Sequence, residues 1–261
     1  MNKINTFFLQ LFVISLCIEF FCGCPSTPPK SETVRKPELS LQIASIDLAS
    51  FNKRIERKHI SDLSKILKRE QIEVLAVQGI ARYPGVSTRV DFVEELSKQT
   101  DWRNVFGEMM NASGRQTGNA IFSSYPILSH YNETFEKVKS ANFDAAIQAS
   151  IDAGVRSVVV VSSQLPAKAT PDELGQCLKL ITALNPDRTN PLTIIAGNLP
   201  SSSTLHTDNN FTEVPLRGSS KSSASKLWYS ANSGLQLIAT RQLDTELGTL
   251  IVVQLGLFRQ K

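Results

Sequence analysis

The chain has 261 residues and a formal net charge of +4, from 28 Lys and Arg against 24 Asp and Glu. So small a basic excess permits weak attraction to anionic polymers or lipid headgroups and argues for neither. Four cysteines exclude a disulfide framework, because three of them fall within the first 24 residues and Cys177 stands alone.

In chain order, Ile4 to Ile18 is mostly apolar and follows a single Lys3. A comfortable membrane span needs roughly 20 apolar residues, so this stretch reads as the core of a signal peptide over 1–23. Phe21-Cys22-Gly23-Cys24 sets a small residue before a cysteine and resembles the bacterial lipobox, with Glu19, Phe20 and Phe21 departing from it. The resemblance implies that Cys24 is acylated after cleavage and anchors the chain to a membrane. An ordinary cleaved signal or an uncleaved anchor is the alternative. Segment 24–38 is rich in Pro, Ser, Thr and Lys and has no apolar period, so it reads as a solvated tether. Extended as polyproline helix it would reach on the order of 40 Å. The lack of Asp after Cys24 resembles lipoproteins sorted to the outer rather than the inner membrane.

Residues 39–261 suffice for one domain. Leu41 to Ile46 reads as a strand. Ile60, Leu63, Ile66 and Leu67 mark a helix, and Val74 to Val77 a short buried strand. Phe92, Val93 and Leu96 mark a second helix. Trp102 to Phe106 and Ala120 to Ser123 are strands. Ala145 to Ile151 and Ser157 to Ser162 pair through an Asp152-Ala153-Gly154 turn. A helix over 172–184 starts at Pro171 and Asp172. It carries Leu174, Cys177, Leu178, Ile181 and Leu184 as an apolar stripe, which makes Cys177 a core residue. Leu192 to Ala196 is a central strand. Pro200 to Lys226 reads as a long Ser/Thr/Asn-rich loop. Leu227 to Tyr229, Leu235 to Ala239 and Leu250 to Leu255 close the sheet.

Gly118-Asn119-Ala120-Ile121-Phe122-Ser123-Ser124-Tyr125-Pro126-Ile127 resembles the Gly-Asn-Ala-Ile-Leu-Ser-Arg-Tyr-Pro-Ile strand of the endonuclease/exonuclease/phosphatase family. These are metal-dependent phosphodiesterases related to DNase I. The resemblance covers roughly 39–257 and implies a two-sheet α/β sandwich with outer helices. It also implies where a divalent metal, usually Mg²⁺, a histidine base and phosphate-binding side chains belong.

Nearly all of those positions hold a different residue. Asp47 stands where the first family strand ends in Asn. The family's Gln-Glu, whose Glu is the main metal ligand, corresponds to Gln78-Gly79. The His of Thr-His-Leu corresponds to Gln164. In the Gly-Asp-Phe-Asn motif, Asn198 replaces the Asp and Pro200 the Asn; Pro offers neither an amide side chain nor an N–H. Ser-Asp-His corresponds to Thr245-Glu246-Leu247, and the Asp of the preceding strand falls near Leu227.

Loss of a positioned general base alone costs roughly 10²–10⁴ in rate. The expectation is therefore a catalytically inactive relative that binds an unknown protein or anionic ligand, needs no cofactor and sits on the cell envelope. In the alternative, Asp47 and Glu246, helped by Asp244 and His206, hold a weak divalent cation such as Mg²⁺, and a rebuilt site cleaves nucleic acid or another phosphodiester. A structural lipoprotein without a specific ligand is the third reading. His59, His130 and His206 read as surface histidines. Lys53, Arg54, Arg57, Lys58, Lys65, Lys68 and Arg69 cluster around the first helix and read as a solvated face, or as a patch for headgroups or an acidic partner. Arg217, Lys221 and Lys226 lie among serines of the long loop and read as filler or as an anion-binding loop.

Overall fold

The computed structural model describes residues 36–49, 51, 53–84, 86, 89–136, 138, 144–165, 170–183, 192–198, 211–216, 225–230 and 234–259. The leader, Cys24, most of the tether, Pro200, His206, Arg217 and Lys221 lie outside the described residues. Among the described residues no helix is long and apolar enough to cross a membrane.

Twelve strands form two six-stranded sheets. The first sheet contains β1 (Leu39–Asp47), β2 (Val74–Arg82), β3 (Arg103–Ala112), β4 (Arg115–Ser123), β11 (Leu235–Thr245) and β12 (Gly248–Leu257), in the order β11-β12-β1-β2-β4-β3. The second contains β5 (Ile127–Thr134), β6 (Ala145–Asp152), β7 (Ser157–Gln164), β8 (Leu192–Asn198), β9 (Phe211–Glu213) and β10 (Lys226–Ser230), in the order β5-β6-β7-β8-β10-β9. Each sheet has one parallel pair at its centre, β1 with β2 and β7 with β8. A parallel pair needs a crossover. Helix α1 (Arg57–Arg69) supplies the first and α3 (Pro171–Ala183) the second, while α2 (Phe92–Thr100) joins β2 to β3.

Alternation along the strands explains the layering. On β1, Leu41 and Ile43 enter the core between the sheets, while Ala44 and Ile46 face the helices. Both faces are apolar because both are covered. Between the sheets, Val74 and Ile121 of the first meet Ile147, Val160 and Ile194 of the second. On the first sheet's outer face, Ile60, Leu63 and Leu67 of α1 and Phe92 of α2 pack on Leu75, Val77 and Phe122. Phe92 meets Phe122 edge to face at 6.2 Å. On the second sheet, Cys177, Leu178 and Ile181 of α3 pack with Phe135, Ile195 and Trp228. Burial pushes the Cys177 thiol up to about 11, which suits an inert core residue.

The helix starts carry local caps. Asp91 accepts from the N–H groups of Val93 and Glu94 and pairs with Arg82 at 3.1 Å. Thr170 and Glu173 exchange bonds as a capping box before α3. Before α1, Glu56 is the cap and His59 its reciprocal partner, its Nδ1 accepting from Glu56 N–H at 3.0 Å. His59 therefore sits inside the first helical turn with its side chain 15% exposed, edge-on to Phe51. The surface position read for His59 from the sequence is corrected, because a histidine at this capping position spends a ring nitrogen on the backbone. His130 is exposed on β5, as expected.

Two further boundaries shift. The third helix runs Pro171–Ala183. The stretch read as one loop over 200–226 contains β9, where Phe211 is buried and pairs with Ser230 of β10. An edge strand of this length carries too little apolar period to stand out among Ser, Thr and Asn.

The Gly118–Ile127 segment fastens the sandwich. A Cβ on Gly118 would lie 2.0 Å from the Gly107 carbonyl oxygen, so only glycine lets β3 and β4 pair there. Asn119 is fully buried and bridges the two sheets: its Oδ1 accepts from Gly79 N–H of β2, and its Nδ2 donates to the Ala145 carbonyl of β6 at 2.8 Å. Tyr125 donates its hydroxyl to Glu73 at 2.7 Å. Asn119→Ala removes both bonds that tie β4 to β2 and β6 and leaves the Gly79 N–H without its Asn119 partner. The expected cost is about 2–4 kcal/mol, read as a lower midpoint in urea denaturation with unchanged slope.

Candidate functional site

The C-terminal ends of the parallel strands hold Asp47, Gln78, Gln164 and Asn198. Asp47 ends β1 beside Gln78 of β2. Gln164 ends β7 beside Asn198 of β8. The Thr245-Glu246-Leu247 turn enters β12, the antiparallel neighbour of β1.

Asp47 is turned onto its own backbone. Its Oδ1 accepts from Ala49 N–H at 2.8 Å, an Asx turn, while Leu48 N–H donates to the Gln78 carbonyl. Burial raises the Asp47 carboxyl above the usual aspartate range, and the Ala49 bond offsets part of that. The turn carries Ala49 directly over Gly79. A Cβ on Gly79 would lie 2.5 Å from Ala49 Cβ and 2.7 Å from Ala49 N. Gly79 also has φ +67°, a left-handed conformation that other residues adopt at a cost. No side chain fits at this position without moving the 47–49 turn.

Beneath the turn lies a sealed polar cluster. Gln78 is fully buried, and its Nε2 donates to Ser162 Oγ of the other sheet at 2.9 Å. Ser162 in turn donates to the Val77 carbonyl at 2.9 Å. On the acceptor side, Gln78 Oε1 lies 3.3 Å from Ser45 Oγ and 3.4 Å from Ser225 Oγ, and the two hydroxyls are 2.9 Å apart. All three serines are buried. The amide thus has partners from both sheets and from the residue before β10.

The remaining positions are dispersed. Gln164 is half-buried, and its Oε1 is a buried acceptor without a hydrogen-bond partner among the described residues. The Asn198 side chain and Pro200 lie outside the described residues. Glu246 faces α1, 3.5 Å from Lys58 Nζ and 3.6 Å from His59 Nε2. Leu247 is buried in the core between helices and sheet. Asp244 accepts from Thr249. Leu227 is buried between the sheets. Sequence reasoning missed Ala49, Ser45, Ser162, Ser225 and Asn119. Ser45 and Ser162 carry one signal, a small hydroxyl in an otherwise apolar strand; Ser225, just before β10, carries none.

These residues do not fit Mg²⁺. A hard divalent cation is held by several oxygen ligands. Gly79 supplies none, Asp47 has one oxygen committed to Ala49, and Glu246 is turned to Lys58 and to the His59 ring. Among the described residues no group of three or more His, Cys, Asp or Glu is placed to hold a metal. What the site presents is amide and hydroxyl chemistry.

No protein-family model matches the sequence, and no curated protein matches it. Solved structures do. An endonuclease/exonuclease/phosphatase from Beutenbergia cavernae superposes with TM-score 0.64 at 13% identity, over 86% of this chain and 72% of that one. The endonuclease/exonuclease/phosphatase of Bacteroides vulgatus gives 0.64 at 8% identity, over 84% and 100%. The human Nocturnin catalytic domain gives 0.59 at 13% identity, over 86% and 95%. The chain therefore has the endonuclease/exonuclease/phosphatase fold, the DNase I-like α/β sandwich.

The raised Asp47 carboxyl makes a pH test. A carboxyl whose pKa is higher folded than unfolded destabilises the fold where it is ionised, and the penalty is relieved as pH falls through the folded pKa. Asp47→Asn keeps the acceptor for Ala49 and removes the charge. Its melting temperature is expected to exceed that of the native chain at neutral pH, and the gain to vanish below about pH 4, the ordinary aspartate range.

Proposed function

We propose that this chain is a non-catalytic binding protein built on a phosphodiesterase fold, exported and held at the cell envelope by lipid on Cys24. The observation that carries the non-catalytic reading is the contact between Ala49 and Gly79. The place where a metal-binding carboxylate would project is filled by main chain. Gln164 in place of a histidine leaves no base to prepare a water, and the described histidines lie elsewhere, His59 on α1 and His130 on the β5 edge.

Recognition falls to the strand ends and the 200–226 segment, which carries Arg217, Lys221 and Lys226 among serines. The ligand class this suits is a protein or an anionic group. The Cys24 anchor and the 24–38 tether place the domain near a membrane surface, the outer membrane in preference to the inner. Basic residues on α1 contribute little to such a surface. Arg57, Lys58, Lys65 and Arg69 are all paired with carboxylates.

Purified full chain is expected to give no Mg²⁺- or Mn²⁺-dependent cleavage of plasmid DNA or of bis(p-nitrophenyl) phosphate. Cleavage that disappears in Asp47→Ala would overturn the non-catalytic reading and favour a rebuilt active site. Gly79→Glu is expected to restore nothing and to cost about 3 kcal/mol or more, from a strained backbone and an overpacked contact. The anchor is tested separately. Labelled fatty acid should enter the native chain and not Cys24→Ser, and equal labelling of both would discard Cys24 as the acceptor.

A further inference from the structure

We infer that a second cleft, at the opposite end of the first sheet from the Asp47–Gln78 end, binds a neutral saccharide. It lies where α1 and α2 end and where β1 and β2 begin, and it encloses about 710 Å³. That volume is within the range of small-molecule sites, roughly 300–1,000 Å³.

Its walls are rich in primary amides: Gln42, Gln71, Gln99 and Gln254, with Trp102 half-buried among them. Three of the amides are set in direction by bonds to the protein, and Gln99 is fully used, its Nε2 donating to Glu95 at 2.8 Å and its Oε1 accepting from Ser64 at 3.2 Å. Gln42 Oε1 accepts from Arg241 at 2.7 Å, which leaves its NH₂ as a donor at the cleft wall. Gln254 Nε2 donates to Ser40 at 2.7 Å, which leaves its carbonyl oxygen to accept. Such a donor and acceptor suit sugar hydroxyls, each of which can do both.

The charges in the cleft select neither sign. Lys65 is spent on Asp62 at 3.0 Å. Glu73 is spent on Gln42 N–H at 2.9 Å and on the Tyr125 hydroxyl at 2.7 Å. Lys68 remains, and against it stand the carbonyl ends of two helices, which carry partial negative charge. An anion meets those carbonyls and Glu73, and a cation meets Lys68. A ligand with many hydroxyls and no charge avoids both.

Gln71 supplies an independent sign. It follows α1 with φ +53°, a left-handed position where glycine is the residue of choice. A glutamine there costs stability that glycine would return. The structure accounts for that cost if the exposed Gln71 amide at the cleft wall serves a ligand.

The test titrates purified full chain with chitotriose, maltotriose and the anionic trigalacturonate, reading tryptophan emission. At least one of the two neutral sugars is expected to give a saturable change at millimolar concentration or below, and trigalacturonate a weaker one. Gln71→Gly and Gln254→Ala are each expected to weaken the neutral ligand about 3- to 10-fold, the loss of one or two neutral hydrogen bonds. Gln71→Gly should do so while raising the melting temperature, which separates lost contact from lost folding. Asp47→Asn, at the other end of the sheet, should leave sugar affinity unchanged, so this result stands whatever the strand-end site proves to do. No saturable change with either neutral sugar, tighter binding of trigalacturonate, or native affinity in both cleft variants would overturn the assignment.

Discussion

A primary amide sealed between two sheets needs a partner for its donor and for its acceptor, because an unpaired buried polar group costs about 1–3 kcal/mol. Gln78 meets that demand only when both sheets and the residue before β10 are in register. Its NH₂ reaches Ser162 of the second sheet, and its carbonyl oxygen reaches Ser45 of its own and Ser225 beyond it. A slip of one residue in β1, β2 or β7 would turn these side chains to the opposite face and orphan the amide. Apolar packing holds the two sheets together, but it tolerates small shifts. The polar cluster fixes one alignment, and Asn119 fixes it again a short distance away.

That alignment determines what the strand ends can do. Gln78 inward brings Gly79 to a left-handed conformation, and the Leu48 N–H closes on the Gln78 carbonyl. The 47–49 turn then lies flat on Gly79, with Asp47 serving the turn and not a cation. The geometry is self-consistent and leaves Gly79 covered by the turn. Replacing one residue with a carboxylate would not reopen it, because the turn, the glycine and the Asx bond depend on one another.

Much of the fold is legible in the sequence, for identifiable reasons. Leu41 to Ile46, Val74 to Val77 and Ser157 to Ser162 are apolar on both faces because helices cover what the other sheet does not. The Gly118–Ile127 segment fixes the register because each of its residues has a structural task, from the close approach at Gly118 to the bridge at Asn119. What is not legible depends on partners remote in sequence. That Ala49 fills the space above Gly79 is a consequence of turn geometry. That Ser225 meets Ser45 requires residues 180 positions apart to come together. β9 is too short to carry a period, and His59 is read as solvated because capping by a ring nitrogen leaves no hydrophobic trace.

Calorimetric titration of the full chain with Mg²⁺ addresses the covered strand ends most directly, since it needs no assumption about a substrate. The self-locked turn over Gly79 predicts no saturable heat, in the native chain and in Asp47→Ala alike. Stoichiometric binding that is lost in Asp47→Ala would contradict it, because Asp47 would then serve a cation at the place where the structure puts main chain.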